Sequence, residues 1–181
     1  EVLLKCFSDT RMFEGCTPIL YGSSKVASYH KKLINATDFP FINIRTVEQA
    51  EASKFNILNI IQDEVKIDIG QATEIGGRLA AMSLDYACHD LMNGKLDALV
   101  TNPINKKNIQ SDKFNFPGHT EYLTNKFGVE ESLMIMTCHD LHIGIMTNHL
   151  SLSQVPKVLN RELILRKLQV MDSSLKRDFG I

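Results

Sequence analysis

The sequence predicts an α/β fold, a parallel sheet with helices packed on its faces. Short apolar runs of strand length alternate with longer stretches whose apolar residues recur every three or four positions. Turn and capping residues stand at the borders between them, as in Gly22-Ser23-Ser24 and Asn93-Gly94. The 181 residues suffice for one good-sized domain or for parts of two smaller ones.

The chain opens as if already inside a helix, with Glu1-Val2-Leu3-Leu4-Lys5-Cys6-Phe7 and no initiating Met, so its true start is expected to lie upstream. Thr17 to Tyr21 reads as a short buried strand. Ser23 or Ser24 then caps a helix over Lys25 to Ile34. Asn56 to Ile61 is the next run of strand length, and Asp63 to Ile69 alternates weakly enough to be a strand or a loop. From Gly76 to Asn93, Ala80, Leu84, Ala87, Cys88 and Leu91 share one helical face, and Gly94 supplies the left-handed stop. Leu96 to Thr101 follows as a buried strand.

Thr120 to Phe127 reads as a helix. Ser132 to Thr137 and Leu141 to Met146 are strands joined only by Cys138-His139-Asp140, a link short enough to favour an antiparallel hairpin. Ser151 or Ser153 can cap a short helix ending at Val158. Asn160 can cap a longer one, with Ile164, Leu168, Met171 and Leu175 as its buried stripe. No internal repeat or linker interrupts the chain. The polar stretch Thr101 to Pro117, which carries two prolines, is the place for a passage between domains: residues 1–117 in a first α/β domain and 118–181 in the start of a second.

Composition excludes several classes. Twenty Lys and Arg against 21 Asp and Glu leave a net charge of −1, without a basic cluster, so no nucleic-acid surface is expected. No apolar run reaches the length of a membrane span, and no signal-peptide pattern opens the chain. The four cysteines, Cys6, Cys16, Cys88 and Cys138, form no C-x-x-C pair; mostly buried, reduced thiols in a cytoplasmic protein are the expectation. There is no Ser-His-Asp pattern and no G-x-G-x-x-G after a strand.

Three segments carry candidate chemistry. Thr101-Asn102-Pro103-Ile104-Asn105-Lys106-Lys107 follows an apolar run, and ligands in open α/β sheets sit beyond the carboxyl ends of strands. Its amides and the Lys106 ammonium fit a phosphate or carboxylate, and equally a polar turn with solvated lysines. In Phe116-Pro117-Gly118-His119-Thr120-Glu121, Gly118 allows close backbone approach and Thr120 can cap the next helix, whose first amides favour an anion. The same residues fit a capped helix with an exposed His. In Met146-Thr147-Asn148-His149-Leu150, His149 can offer a neutral ring nitrogen to a metal, or be an ordinary surface histidine. His30 and His89 read as structural, and His139 and His142 as solvated turn residues.

Taken together, Leu96 through Lys106, then Gly118-His119-Thr120-Glu121-Tyr122-Leu123, then Thr147-Asn148-His149-Leu150-Ser151-Leu152 with Val155-Pro156, resemble the 4-hydroxythreonine-4-phosphate dehydrogenase (PdxA) family in residues, order and spacing. The closing Leu175 to Ile181 resembles it too, so the likeness covers essentially the whole chain. The resemblance implies a two-domain fold like that of isocitrate and isopropylmalate dehydrogenases, with the cleft between the domains and a homodimer whose partner completes the site. It implies NAD as oxidant and a divalent metal, with zinc, cobalt, manganese and magnesium all open. The implied reaction is oxidation of 4-phosphooxy-L-threonine and decarboxylation to 3-amino-2-oxopropyl phosphate, in pyridoxal phosphate biosynthesis. By matching position, His119 and Thr120 would bind substrate and His149 would be one of three metal-binding histidines. Asn105 and Lys106 would contact substrate or cofactor.

The family pattern continues beyond Ile181 to an Asn-Pro-His-Ala-Gly-Glu segment and an Asp-His-Gly-Thr segment, which carry the other two histidines. A Gly-Asp-Pro-Ala-Gly-Ile-Gly segment precedes the position of Glu1. The chain is therefore expected to be an internal piece that binds metal weakly and is inactive alone. Two alternatives stay open: a relative acting on a four-carbon sugar-acid phosphate or a diol, and a non-catalytic binding module of the same fold.

Overall fold

The computed structural model describes residues 1–36, 39–61 and 65–181. It divides into two compact units, Glu1–Gly118 and His119–Ile181. Part of the ambiguous Asp63 to Ile69 run lies outside the described residues, and its described part forms no strand.

The first unit is built on a three-stranded parallel sheet. Its strands are β1 (Ile19–Gly22), β2 (Ile42–Ile44) and β3 (Asn56–Asn59), in the order β1-β3-β2. Leu20 aligns with Ile57, and Ile44 with Leu58. Successive side chains of a strand point to opposite faces, so the central strand feeds two cores. On one side Ile57 packs with Leu4, Ala27, Phe39 and Phe55, under α1 (Val2–Cys6) and α2 (Ser24–Leu33). On the other side Leu58 packs with Tyr21, Ile44 and Ala87 of α3 (Glu74–Met92). Helices thus cover both faces, as the alternation of periods predicts.

Local chemistry sets the helix ends. Ser23 Oγ accepts from the Val26 amide at the start of α2, and Thr73 Oγ1 accepts from the Gly76 amide at the start of α3. Gly94, at φ 69°, turns the chain after α3 in the left-handed conformation read from the sequence. Tyr21 donates to the Asp90 carboxylate on α3 at 2.8 Å, joining strand to helix; burial, and then the Asp90 carboxylate, push its hydroxyl pKa up.

Leu96 to Thr101 departs from expectation and is not a strand. Leu96 and Leu99 pack on the Tyr21–Leu58 core, but Val100 is 88% exposed. A strand needs a neighbour to complete its ladder, and this run forms none with the described residues. Apolar length alone gives a strand-like signal whether or not such a partner is present.

The second unit starts with α4 (His119–Lys126) and continues with β4 (Met134–Cys138) and β5 (Leu141–Ile145), paired antiparallel with Met136 opposite Ile143. Then come α5 (Val155–Val158), α6 (Arg161–Ser174) and a π-helical turn over Leu175–Phe179. Asn160 caps α6 by accepting from the Leu163 amide at 2.8 Å, as expected. Neither Ser151 nor Ser153 caps α5: Gln154 stands at that position without a side-chain cap bond, and Ser151 hydrogen-bonds the Gln154 side chain instead.

The buried face of α6 also differs from expectation. Ile164 and Leu168 are exposed, whereas Lys167 is only 7% exposed. The lysine can lie inside because Nζ donates to the Ser132 carbonyl and pairs with the Glu131 carboxylate. Hydropathy assigns Lys to the outside and cannot register a waiting anion. Close packing appears at Gly144, where a Cβ would stand 3.0 Å from Met171 Sδ and 3.2 Å from Leu133. His142 is half-buried against Phe179, ring centroids 4.5 Å apart, rather than solvated. Of the cysteines, Cys88 is buried while Cys6, Cys16 and Cys138 are exposed, so the expectation of mostly buried thiols fails; all four are free. No described helix is long and apolar enough to cross a membrane.

Candidate active site

In the first unit, the segment carrying Asn105 and Lys106 is a structured turn. Asn105 Oδ1 accepts from the amides of Lys107 at 3.0 Å and Asn108 at 3.2 Å, and its carbonyl accepts from Ile109. The Asn105 side chain is therefore occupied in shaping the turn, which leaves Lys106 exposed and its ammonium reachable. The turn is moored on both sides. Asn108 donates from Nδ2 to the Thr73 carbonyl at the start of α3, and Ile109 and Phe114 are each 1% exposed. Gln110 ties the Lys106 carbonyl to that of Phe116.

In the second unit, His119 and Thr120 form the first turn of α4. Thr120 lies inside the helix rather than at its cap: its carbonyl accepts from Thr124 Oγ1, which also stands 2.9 Å from Ser132 Oγ. Tyr122 anchors the helix as its buried residue. His119 and Thr120 are half-buried, so both are open to a ligand on one side.

His149 follows β5 in the loop before α5 and has φ 57°, a left-handed conformation uncommon for a side chain of this size. Its Nε2 stands 3.3 Å from Oε1 of Glu121, with side chains 57% and 31% exposed. His149 thus meets the first turn of α4, two residues beyond His119. Sequence reasoning quotes Glu121 within its motif but assigns it no role. No periodicity joins residue 121 to residue 149, because only the tertiary path of the hairpin does so.

A divalent cation takes an imidazole nitrogen of this kind, so the chemistry of His149 suits the expected metal. No group of three or more His, Cys, Asp or Glu that could hold a metal is found among the described residues. His149 is therefore at most part of a ligand set.

Comparison with solved structures gives the fold class first. The chain superimposes on a 4-hydroxythreonine-4-phosphate dehydrogenase from Burkholderia phymatum with a TM-score of 0.85 at 22% identity, covering 96% of this chain and 53% of that one. For the enzyme of the same name from Klebsiella pneumoniae the TM-score is 0.76, covering 88% and 49%. The α/β fold is therefore the isocitrate dehydrogenase-like fold of those enzymes, about half of it present here.

The family follows from sequence. Residues 14–181 match the model of the pyridoxal phosphate biosynthetic protein PdxA, and the chain belongs to that family. The 4-hydroxythreonine-4-phosphate dehydrogenase of Bacteroides thetaiotaomicron is 40% identical over 183 aligned positions, covering all of this chain and 50% of that protein. A Clostridium botulinum protein named for a D-threonate 4-phosphate dehydrogenase is 28% identical over 173 positions. The chain spans about half the length of the curated relatives it matches.

Proposed function

We propose that the full-length protein to which these residues belong is an NAD- and divalent-metal-dependent dehydrogenase of pyridoxal phosphate biosynthesis. It would oxidise 4-phosphooxy-L-threonine and release carbon dioxide to give 3-amino-2-oxopropyl phosphate. The observation that carries this reading is the family match over residues 14–181, joined to 40% identity with a dehydrogenase named for that substrate.

In this reading His119 and Thr120 hold the phosphorylated substrate at the start of α4, where helix amides favour an anion. Lys106, exposed on its moored turn, contributes a cation to substrate or cofactor, and Asn105 keeps that turn in shape. His149 is a metal ligand. The bound metal, when present, supplies a Lewis acid for charge developing on the substrate's oxygens. NAD, when bound, would supply the hydride acceptor. The working form is a homodimer in the cytoplasm, its active site completed by the second subunit.

The second reading is a four-carbon sugar-acid phosphate as substrate, favoured by the likeness to the D-threonate 4-phosphate relative. The deciding assay follows NADH formation by the full-length protein with each substrate in turn. Preference for the amino substrate supports the vitamin B6 role, and preference for the threonate phosphate removes it. No turnover of either with metal and NAD supplied would leave the fold as a binding module.

A further inference from the structure

We propose that the first unit holds a slot one strand wide between β1 and residues 96–101, and that the slot takes a parallel strand from the part of the full-length protein that precedes α1. The proposal concerns the sheet and holds whichever substrate the enzyme takes. Backbone polarity marks the slot. The carbonyls of Pro18 and Gly22 accept from the amides of Asn56 and Ile60, along β3. The polar groups of successive strand residues point to alternate sides, so those of Ile19 and Tyr21 face away from β3. The sheet ends at that edge, in the order β1-β3-β2, and no strand pairs with it among the described residues. Tyr21 is nevertheless only 8% exposed, and backbone groups so enclosed need partners.

Handedness places residues 96–101 beyond the same edge. The connection from β1 to β2 runs through α2 on one face of the sheet, and that from β3 to residues 96–101 runs through α3 on the other. Parallel crossovers share one hand almost without exception, so connections on opposite faces advance in opposite directions. The first passes from β1 over β3 to β2, so the second leads back past β1. Leu96 and Leu99 do pack on the Tyr21–Leu58 core, yet their run has the composition of a strand and no ladder partner among the described residues. The same rule names the occupant. Helix α1 lies on the face of α2 and leads into β1, so a strand that enters α1 stands on the side of β1 away from β3. It would pair with β1 on one side and with residues 96–101 on the other, and its carboxyl end would stand beside the turn that carries Lys106. Chain for this purpose is to hand in the family, since these residues cover only 50% of the Bacteroides thetaiotaomicron relative.

Amide exchange and cross-strand nuclear Overhauser contacts in the isotope-labelled full-length protein test this. The amides of Ile19 and Tyr21 should exchange at least about a hundredfold more slowly than those of the exposed turn residues Asp112 and Lys113. Both should show contacts to one segment upstream of Glu1, and that segment should also contact residues 96–101. Exchange of Ile19 and Tyr21 at the rate of the turn would show the edge unfilled and overturn the proposal. Contacts running directly from Tyr21 to the backbone of residues 96–101 would also overturn it, because that run would then be the partner of β1 itself. Contacts to a segment beyond Ile181 would overturn the choice of occupant.

Discussion

A Cβ placed on Gly77 would stand 1.8 Å from the carbonyl oxygen of Asn108 and 2.9 Å from the Ile109 amide nitrogen. Helix α3 and the turn that carries Asn105 and Lys106 therefore touch backbone to backbone, and only a residue without a side chain permits it. The close approach also brings Asn108 Nδ2 within 2.9 Å of the Thr73 carbonyl. Fold and candidate site are joined at this point.

Gly77→Ala should displace the turn rather than merely crowd it, because the atoms in the way are backbone and cannot rotate aside. An overpacking cost of about 1–3 kcal/mol is expected. In the full-length protein, denaturant unfolding should show that loss, and the Michaelis constant for substrate should rise as Lys106 moves. A variant with wild-type stability and wild-type substrate affinity would mean that the contact is slack.

Asn56 offers a test of the sheet. It is fully buried at the start of β3, where its Oδ1 accepts from the Glu51 amide and its Nδ2 reaches the carbonyls of Glu51, Lys54 and Pro18. Asn56→Leu keeps the branched outline with added bulk and leaves those backbone groups without their partner, so about 2–4 kcal/mol of destabilisation is expected. Asn56→Asp should also destabilise, since it would bury a charge and lose the donor. Unfolding midpoints in urea measure both, and unchanged midpoints would show that water replaces the amide at no cost.

Much of this architecture was legible in the sequence because short-range rules govern it. Strands β1 and β3, helices α2 and α3, the β4–β5 hairpin and the Asn160 cap each follow from periodicity or from one capping side chain. The misreadings share a physical origin. Leu96 to Thr101 has the composition of a strand, but strand formation depends on a ladder partner that local sequence does not reveal. Lys167 is buried because Glu131, 36 positions earlier, faces it across the second unit. At the candidate site the motif containing His119 and Thr120 was legible as a unit, whereas the meeting of Glu121 with His149 depends on the path of the intervening hairpin.

Tyr21→Phe removes the hydroxyl that donates to Asp90, a carboxylate only 14% exposed, with Lys95 3.8 Å away and His89 3.7 Å away. The lysine partly compensates the anion, so about 1 kcal/mol is the expected loss, the ordinary worth of one hydrogen bond to a charged group with a second partner nearby. Amide exchange should quicken at the carboxyl end of α3 more than in α2. Uniform quickening across the first unit would instead mark the hydroxyl as part of the global core.

The Glu131–Lys167 pair makes stability depend on acid. Lys167, followed by burial in the opposite sense and then Arg166, holds the Glu131 carboxyl below its ordinary value of 4.5. A carboxyl with a lowered folded pKa stabilises the fold fully above the unfolded value and loses that contribution as pH falls through the folded value. The second unit should therefore loosen below about pH 4.5. Glu131→Ala should cost about 1–3 kcal/mol at neutral pH, since it strands a buried ammonium while the quarter-exposed site admits some water. Lys167→Met should cost less, because an apolar side chain suits that buried position, and it should flatten the acid dependence. Urea unfolding of the wild type and both variants at neutral and acid pH measures this; an unchanged acid slope in Lys167→Met would show that the pair does not govern it.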